Sequence, residues 1–298
     1  MIIPDIMSNI KQIQKIIPPP PVHFVGDGFR VHNFFPSEGS IDIQRMSPFL
    51  LMDYASEYYF SPTKTPRGVG VHPHRGFETV TLAFQGKVAH HDSAGNSGEI
   101  AEGDVQWMTA ARGILHKEYH QKEFSEAGGL FQMVQLWVNL PSKYKMTTPK
   151  YQPIENKNIP KIELPENAGT IDIVAGNLNG IDGAADTFSP VNLFVFRLKK
   201  DATYTFELPE NYNAGILVLK GIVAINDCKA ALKDHFVLFA NKGKTITVEA
   251  LEDTVFLVLS GEPIDEPIDA YGPFVMNTRD EIIEAYNDFE KGKFGFLE

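Results

Sequence analysis

Cysteine is nearly absent: Cys228 is the only one in 298 residues, so no intrachain disulfide can form and no zinc ribbon or finger built on paired cysteines is available. Long apolar runs are missing too. Nothing approaches the roughly 20 consecutive apolar residues of a membrane-spanning helix, and Asp5, Lys11 and Lys15 interrupt the N-terminal segment where a signal peptide would be continuous. Basic residues are outnumbered, 27 Lys and Arg against 38 Asp and Glu, with no Lys/Arg-rich run. The resulting net charge of −11 would repel a phosphate backbone, so direct nucleic-acid binding is not expected. These absences point to a reducing, cytoplasmic setting with neither membrane nor nucleic acid as partner.

What is present suffices for a folded core, with 43% hydrophobic, 11% aromatic and 22% charged residues over a length that suits about two domains. Ile3, Ile6, Met7, Ile10, Ile13 and Ile17 recur at helical spacing, which predicts an amphipathic helix, or else a mobile leader, over residues 1–21, ended by Pro18 to Pro21. From 22 to 149, short runs of Val, Thr, Leu, Phe and Trp are broken every eight to twelve residues by Gly, Pro, Asp and Asn, with no helical segments between them. That pattern predicts an antiparallel sandwich or barrel. The polar stretch Pro149 to Pro160 reads as a linker, and a second β-rich region spans 150–262. In the tail, 263–298, Asn277-Thr278 caps an amphipathic helix whose first turn is acidic. The fold class is all-β, with little helix and that mostly terminal.

Chemistry concentrates in two places. His72-Pro73-His74-Arg75-Gly76-Phe77-Glu78 runs into a strand, where residues two apart share a face, so both imidazoles project together about 6.6 Å apart. Pro73, lacking an N–H, demands a strand start or an edge. Some forty residues on, Gly113-Ile114-Leu115-His116-Lys117-Glu118-Tyr119-His120 places His116 and Glu118 on one face by the same period. His120 shares that face, and spacing alone does not choose between His116/Glu118 and Glu118/His120. The adjacent His90 and His91 face opposite ways and read as ordinary surface or loop histidines. Glu78 could be a ligand, a partner orienting an imidazole, or a salt bridge to Arg75. Three imidazoles and a carboxylate suit Fe(II) above all, with Mn, Ni, Cu or Zn also accommodated, and leave positions open for exchange. An open shell is a poor choice for a purely structural metal.

The two motifs resemble the conserved blocks of the cupin superfamily, and longer runs narrow the resemblance to the pirin family. The carrying residues are Ser47 to Asp53, His72 to Val80, Gly103 to Ala110, Arg112 to His116 and Gly272 to Thr278. The resemblance implies two tandem jelly-roll barrels, a metal-binding cupin over 22–149 and a cupin without metal over 150–262, followed by the helical tail. It implies one metal ion, usually iron, held by His72, His74, His116 and Glu118, and it places Glu78 outside the ligand set. In the second half the corresponding strands hold no His-x-His and the only histidine is His235. Cys228, with no His or acid pattern beside it, is expected to be inert.

Two roles follow from the resemblance. One is quercetin 2,3-dioxygenase-type ring opening of a flavonol with O2, Glu118 serving as ligand and catalytic proton acceptor. The other is metal-dependent regulation through a protein partner, without turnover. Phe77, Trp107, Met108, Phe131 and Met133 would wall a flavonoid-sized cavity or simply fill the barrel core.

Overall fold

The computed structural model describes residues 9–37, 41–226 and 229–298. Twelve strands make up the first half of the chain: β1 (Ile13–Ile17), β2 (Val22–Val25), β3 (Phe29–Phe35), β4 (Phe49–Phe60), β5 (Gly68–His74), β6 (Phe77–Gln85), β7 (Val88–Asp92), β8 (Ser97–Ile100), β9 (Val105–Thr109), β10 (Ile114–His120), β11 (Gly129–Asn139) and β12 (Lys150–Ile154). All but β1 belong to one antiparallel barrel. One wall is a seven-stranded sheet in the order β12-β9-β6-β11-β4-β3-β2, and the other a four-stranded sheet in the order β5-β10-β7-β8. The expected jelly-roll architecture is what these two walls form.

The second half repeats the design. A seven-stranded sheet runs β1, 236–239, 213–220, 254–261, 191–198, 169–175, 161–163, with a four-stranded sheet of 203–207, 245–250, 222–225 and 229–232. Its interior is closed by Phe194, Phe196, Phe256 and aliphatic residues, and Phe196 stacks on Phe256 with ring centroids 4.7 Å apart. Among the described residues no helix is long and apolar enough to cross a membrane.

Contacts divide the chain into two compact units, and neither is a continuous stretch. Residues up to Pro19 group with Ile159–Pro263, and Pro20–Asn158 with Ile264–Glu298. The N-terminal helix expected from the isoleucine spacing is corrected accordingly. Ile13–Ile17 is β1, paired with residues 236–239, while Ile3, Ile6 and Met7 lie outside the described residues. The reason is a ready edge: the second barrel offers a full ladder of backbone partners, which an isolated helix of that length could not match. Lys11 anchors the entry, its buried Nζ donating to the carbonyls of Pro209 and Glu210 at 3.3 and 3.2 Å. Cys228 also lies outside the described residues.

Two helices are described. The short α1 (Lys122–Ala127) connects β10 to β11, and α2 (Arg279–Glu290) is the tail helix. At its start Thr278 and Glu281 form the reciprocal capping box their spacing foretells. The tail is fastened to the first barrel. Lys145, fully buried, donates to the carbonyls of Gly76 and Val275 and to Asn139 Oδ1 at 2.7, 3.0 and 2.6 Å, and residue 76 must be glycine. It has φ +91°, and a Cβ there would stand 1.9 Å from the Val275 carbonyl oxygen.

Candidate metal centre

β5 forms one edge of the four-stranded sheet, where Pro73 costs no ladder hydrogen bond. It pairs antiparallel with β10, His72 opposite His116. In β10 the burial alternates strictly, so Ile114, His116, Glu118 and His120 point inward. Between His116 and Glu118 the β5 register slips, bringing Glu118 opposite Val69. Gly68 makes that slip possible, because a Cβ there would lie 2.3 Å from the Glu118 carbonyl oxygen and 2.5 Å from Tyr119 Cα.

The structure brings His72, His74 and His116 together, one nitrogen from each lying within 4.8 Å of the others. Their ring centroids are 4.2 to 4.8 Å apart. Glu118 joins through His116, with which it forms a second trio within the same limit, completed by His90. His72 Nδ1 donates to the Gly70 carbonyl at 2.8 Å and His74 Nδ1 to that of Pro273 at 3.4 Å. Both bonds leave Nε2 as the free lone pair. His116 is 0% exposed, and both its ring nitrogens lack a hydrogen-bond partner. A buried imidazole without partners costs free energy unless something satisfies it, and a cation among neutral imidazoles does so. Burial, reinforced by the neighbouring histidines, holds His74 and His116 well below the usual imidazole range, which keeps them in the neutral, ligating form.

Glu118 is held by side chains that sequence spacing did not reveal. Thr81 Oγ1 and Gln106 Nε2 donate to its Oε1 at 3.2 and 2.9 Å, and Gln135 Nε2 to its Oε2 at 3.4 Å. Each is a polar residue flanked by apolar neighbours in a strand paired on both sides. His90 is corrected from a surface residue to one that is 0% exposed. It is opposite Glu118 in the β7–β10 ladder, stacks on Tyr151 with centroids 4.9 Å apart, and bonds Asp92 and Gln106. His91 points outward to the Tyr119 hydroxyl at 3.1 Å.

His120 stays apart from the cluster. Its ring sits among Phe29, Phe60, Phe124 and Phe131, and Nε2 donates to the Gly28 carbonyl at 2.8 Å. Glu78 is also apart, accepting from Thr109 Oγ1 at 2.7 Å, and burial pushes its carboxyl up to about 7. Arg75 pairs with Asp288, not with Glu78.

A cavity of about 310 Å³ opens onto the cluster. Its polar wall is His72, His74, Glu118, Gln135 and Asp53, and its apolar wall includes Phe29, Val31, Val69 and Trp137. Of the five residues expected to wall it, only Met133 does so. Phe131 belongs to the His120 cluster, Met108 packs with Ala110, Ile114 and Tyr151, and Phe77 lies behind His74, against Trp137. Gly272 and Pro273 of the tail complete the rim.

Comparison with known proteins agrees with this architecture. Residues 28–138 match the family described as Pirin, and residues 193–295 match the Pirin C-terminal cupin domain. Human pirin is 37% identical over 277 residues, 91% of this chain and 90% of that protein. The chain belongs to the pirin family. Another relative, a Pseudomonas aeruginosa protein provisionally named a quercetin 2,3-dioxygenase, is 48% identical over 272 residues, covering 91% of this pirin-family chain and 94% of its own length. The crystal structure of a quercetin 2,3-dioxygenase from Acinetobacter baumannii superposes with a TM-score of 0.91 at 50% identity, covering 97% of this chain and all of that one. The His/Glu cluster of this pirin-family chain could hold a metal ion.

Proposed function

We propose that this chain is a mononuclear metal oxidoreductase of the quercetin 2,3-dioxygenase type, with His72, His74, His116 and Glu118 holding one divalent ion. Fe(II) is the favoured ion, since a set of three imidazoles and one carboxylate suits it and leaves two octahedral positions free. The observation that carries the reading is the fully buried His116, its two nitrogens unpartnered, beside a cavity that also presents Glu118 and two further imidazoles. The names of the Pseudomonas and Acinetobacter proteins support the flavonol as substrate class.

When bound, the ion would supply Lewis acidity toward the flavonol's 3-hydroxyl and 4-carbonyl oxygens and a site for dioxygen. The chain supplies the rest. Glu118 accepts the 3-hydroxyl proton, and its carboxylate is kept aimed by the donors Thr81, Gln106 and Gln135. Hydrogen bonds at Nδ1 leave Nε2 of His72 and His74 free for the ion. Phe29, Val31, Val69 and Trp137 exclude water and offer flat apolar surface to the rings. Oxygen uptake with quercetin, in protein reconstituted anaerobically with Fe(II), Mn(II), Ni(II) or Cu(II), tests the proposal. Metal-dependent uptake with loss of flavonol absorbance supports it, and full occupancy without turnover on any flavonol contradicts it.

A further inference from the structure

Five polar side chains stand in register across the seven-stranded sheet of the first barrel. Asn33 of β3 pairs with Asp53 of β4, Asp53 with Gln135 of β11, Gln135 with Thr81 of β6, and Thr81 with Gln106 of β9. Directly paired residues on neighbouring strands share a face, so the five form one belt. Three of its members donate to Glu118. The metal centre therefore accounts for one end of the belt and leaves the other unexplained.

At that other end Asn33 Nδ2 donates to Asp53 Oδ1 at 2.9 Å, and no other side chain among the described residues hydrogen-bonds to Asp53. Asp53 nevertheless lines the same cavity as Glu118 and Gln135. A carboxylate offers about four acceptor positions, so Asp53 carries unused acceptor capacity into a wall otherwise built there from Val25, Phe29 and Val31. Burial raises its carboxyl above the usual range, against the pull of the Asn33 hydrogen bond and of the His23 charge. The half-buried Asp53 carboxylate thus presents acceptor positions to the cavity that water or a ligand hydroxyl can fill, and a ligand that displaces the water must replace its hydrogen bonds. It stands one strand spacing, about 4.8 Å, beyond Gln135 as seen from Glu118. That is within the length of one flat polycyclic ligand.

We propose that Asp53 is a specificity residue of this cavity, accepting a hydrogen bond from a ligand hydroxyl other than the pair of oxygens that meets the metal. The ligand class is thereby narrowed to polyhydroxylated planar aromatics. This rests on the flavonol reading above and deepens it. In Asp53→Asn the Asn33 amide keeps its claim on the side-chain oxygen, so an NH2 donor replaces the acceptor facing the cavity; Asp53→Ser removes the carboxylate altogether.

The test is the ratio of dissociation constants for two probes on metal-loaded protein. Quercetin carries additional hydroxyls, and 3-hydroxyflavone keeps only the chelating pair. Wild type should prefer quercetin by at least about 10-fold, the worth of one charge-assisted hydrogen bond. Both variants, at wild-type metal content and melting temperature, should reduce that preference to within about 3-fold. A preference that survives both substitutions, or none in the wild type, overturns the assignment of Asp53 while leaving the flavonol reading standing. If wild type with a full metal complement binds neither probe, the flavonol reading fails, and the role of Asp53 fails with it.

Discussion

Arg75, the residue directly after His74, is ion-paired through its guanidinium with Asp288 of α2 at 2.8 Å, across 213 positions of sequence. Its Nε donates to the Arg112 carbonyl at 2.7 Å and its Cζ lies 4.8 Å from the Phe294 ring centroid. The tail is thus fastened one residue away from a candidate ligand. Since both side chains are under a tenth exposed, removing one partner strands the other. Asp288→Ala should cost about 3 kcal/mol of stability, read as a lower denaturant midpoint with unchanged slope, and an unchanged midpoint would show that the pair does not hold the tail.

Gln106 touches two members of the second trio, donating to Glu118 Oε1 at 2.9 Å and approaching His90 Nδ1 at 3.3 Å, and it accepts from the Tyr151 hydroxyl at 3.3 Å. Gln106→Leu leaves every candidate ligand in place and removes its orientation. Metal affinity should fall by about 10- to 100-fold, measured by competition with a chelator, and an affinity equal to wild type would contradict the role given to this amide.

Two buried groups give the fold opposite pH dependences. Burial pushes His120 down to about 4, so between pH 6.5 and 4 the unfolded chain takes up a proton that the folded chain refuses, and stability falls as pH drops through that window. The full effect is at most about 3 kcal/mol. Glu78, pushed up to about 7, works the other way, because folded protein keeps a proton that the unfolded chain releases from pH 4.5 upward, and stability is lost as pH rises toward 7. Urea titrations should show His120→Gln flattening the acid side and Glu78→Gln flattening the rise to neutrality. Parallel curves for wild type and variants would contradict both assignments.

What the sequence disclosed of the site was local. A period of two in β5 and β10 suffices to put His72 with His74, and His116 with Glu118, on common faces. What it concealed was set by pairing between distant strands. His90 is at the cluster because β7 aligns it opposite Glu118, and Thr81, Gln106 and Gln135 converge because three strands of the other sheet are in register. Ile13 and Ile17 belong to a helical period yet stand in β1, since their partners at 236–239 lie more than two hundred residues away. His120 shares a face with Glu118 but sits farther down the barrel, among phenylalanines that only the closed sheet assembles.

The central claim is that one metal ion sits among His72, His74, His116 and Glu118. The most direct measurement is metal stoichiometry per chain after anaerobic reconstitution with Fe(II) and removal of excess, for wild type, His116→Ala and His120→Gln. One ion per chain in wild type and His120→Gln, and none in His116→Ala, is the expected result. A full equivalent retained by His116→Ala, or a site emptied by His120→Gln, would contradict the account.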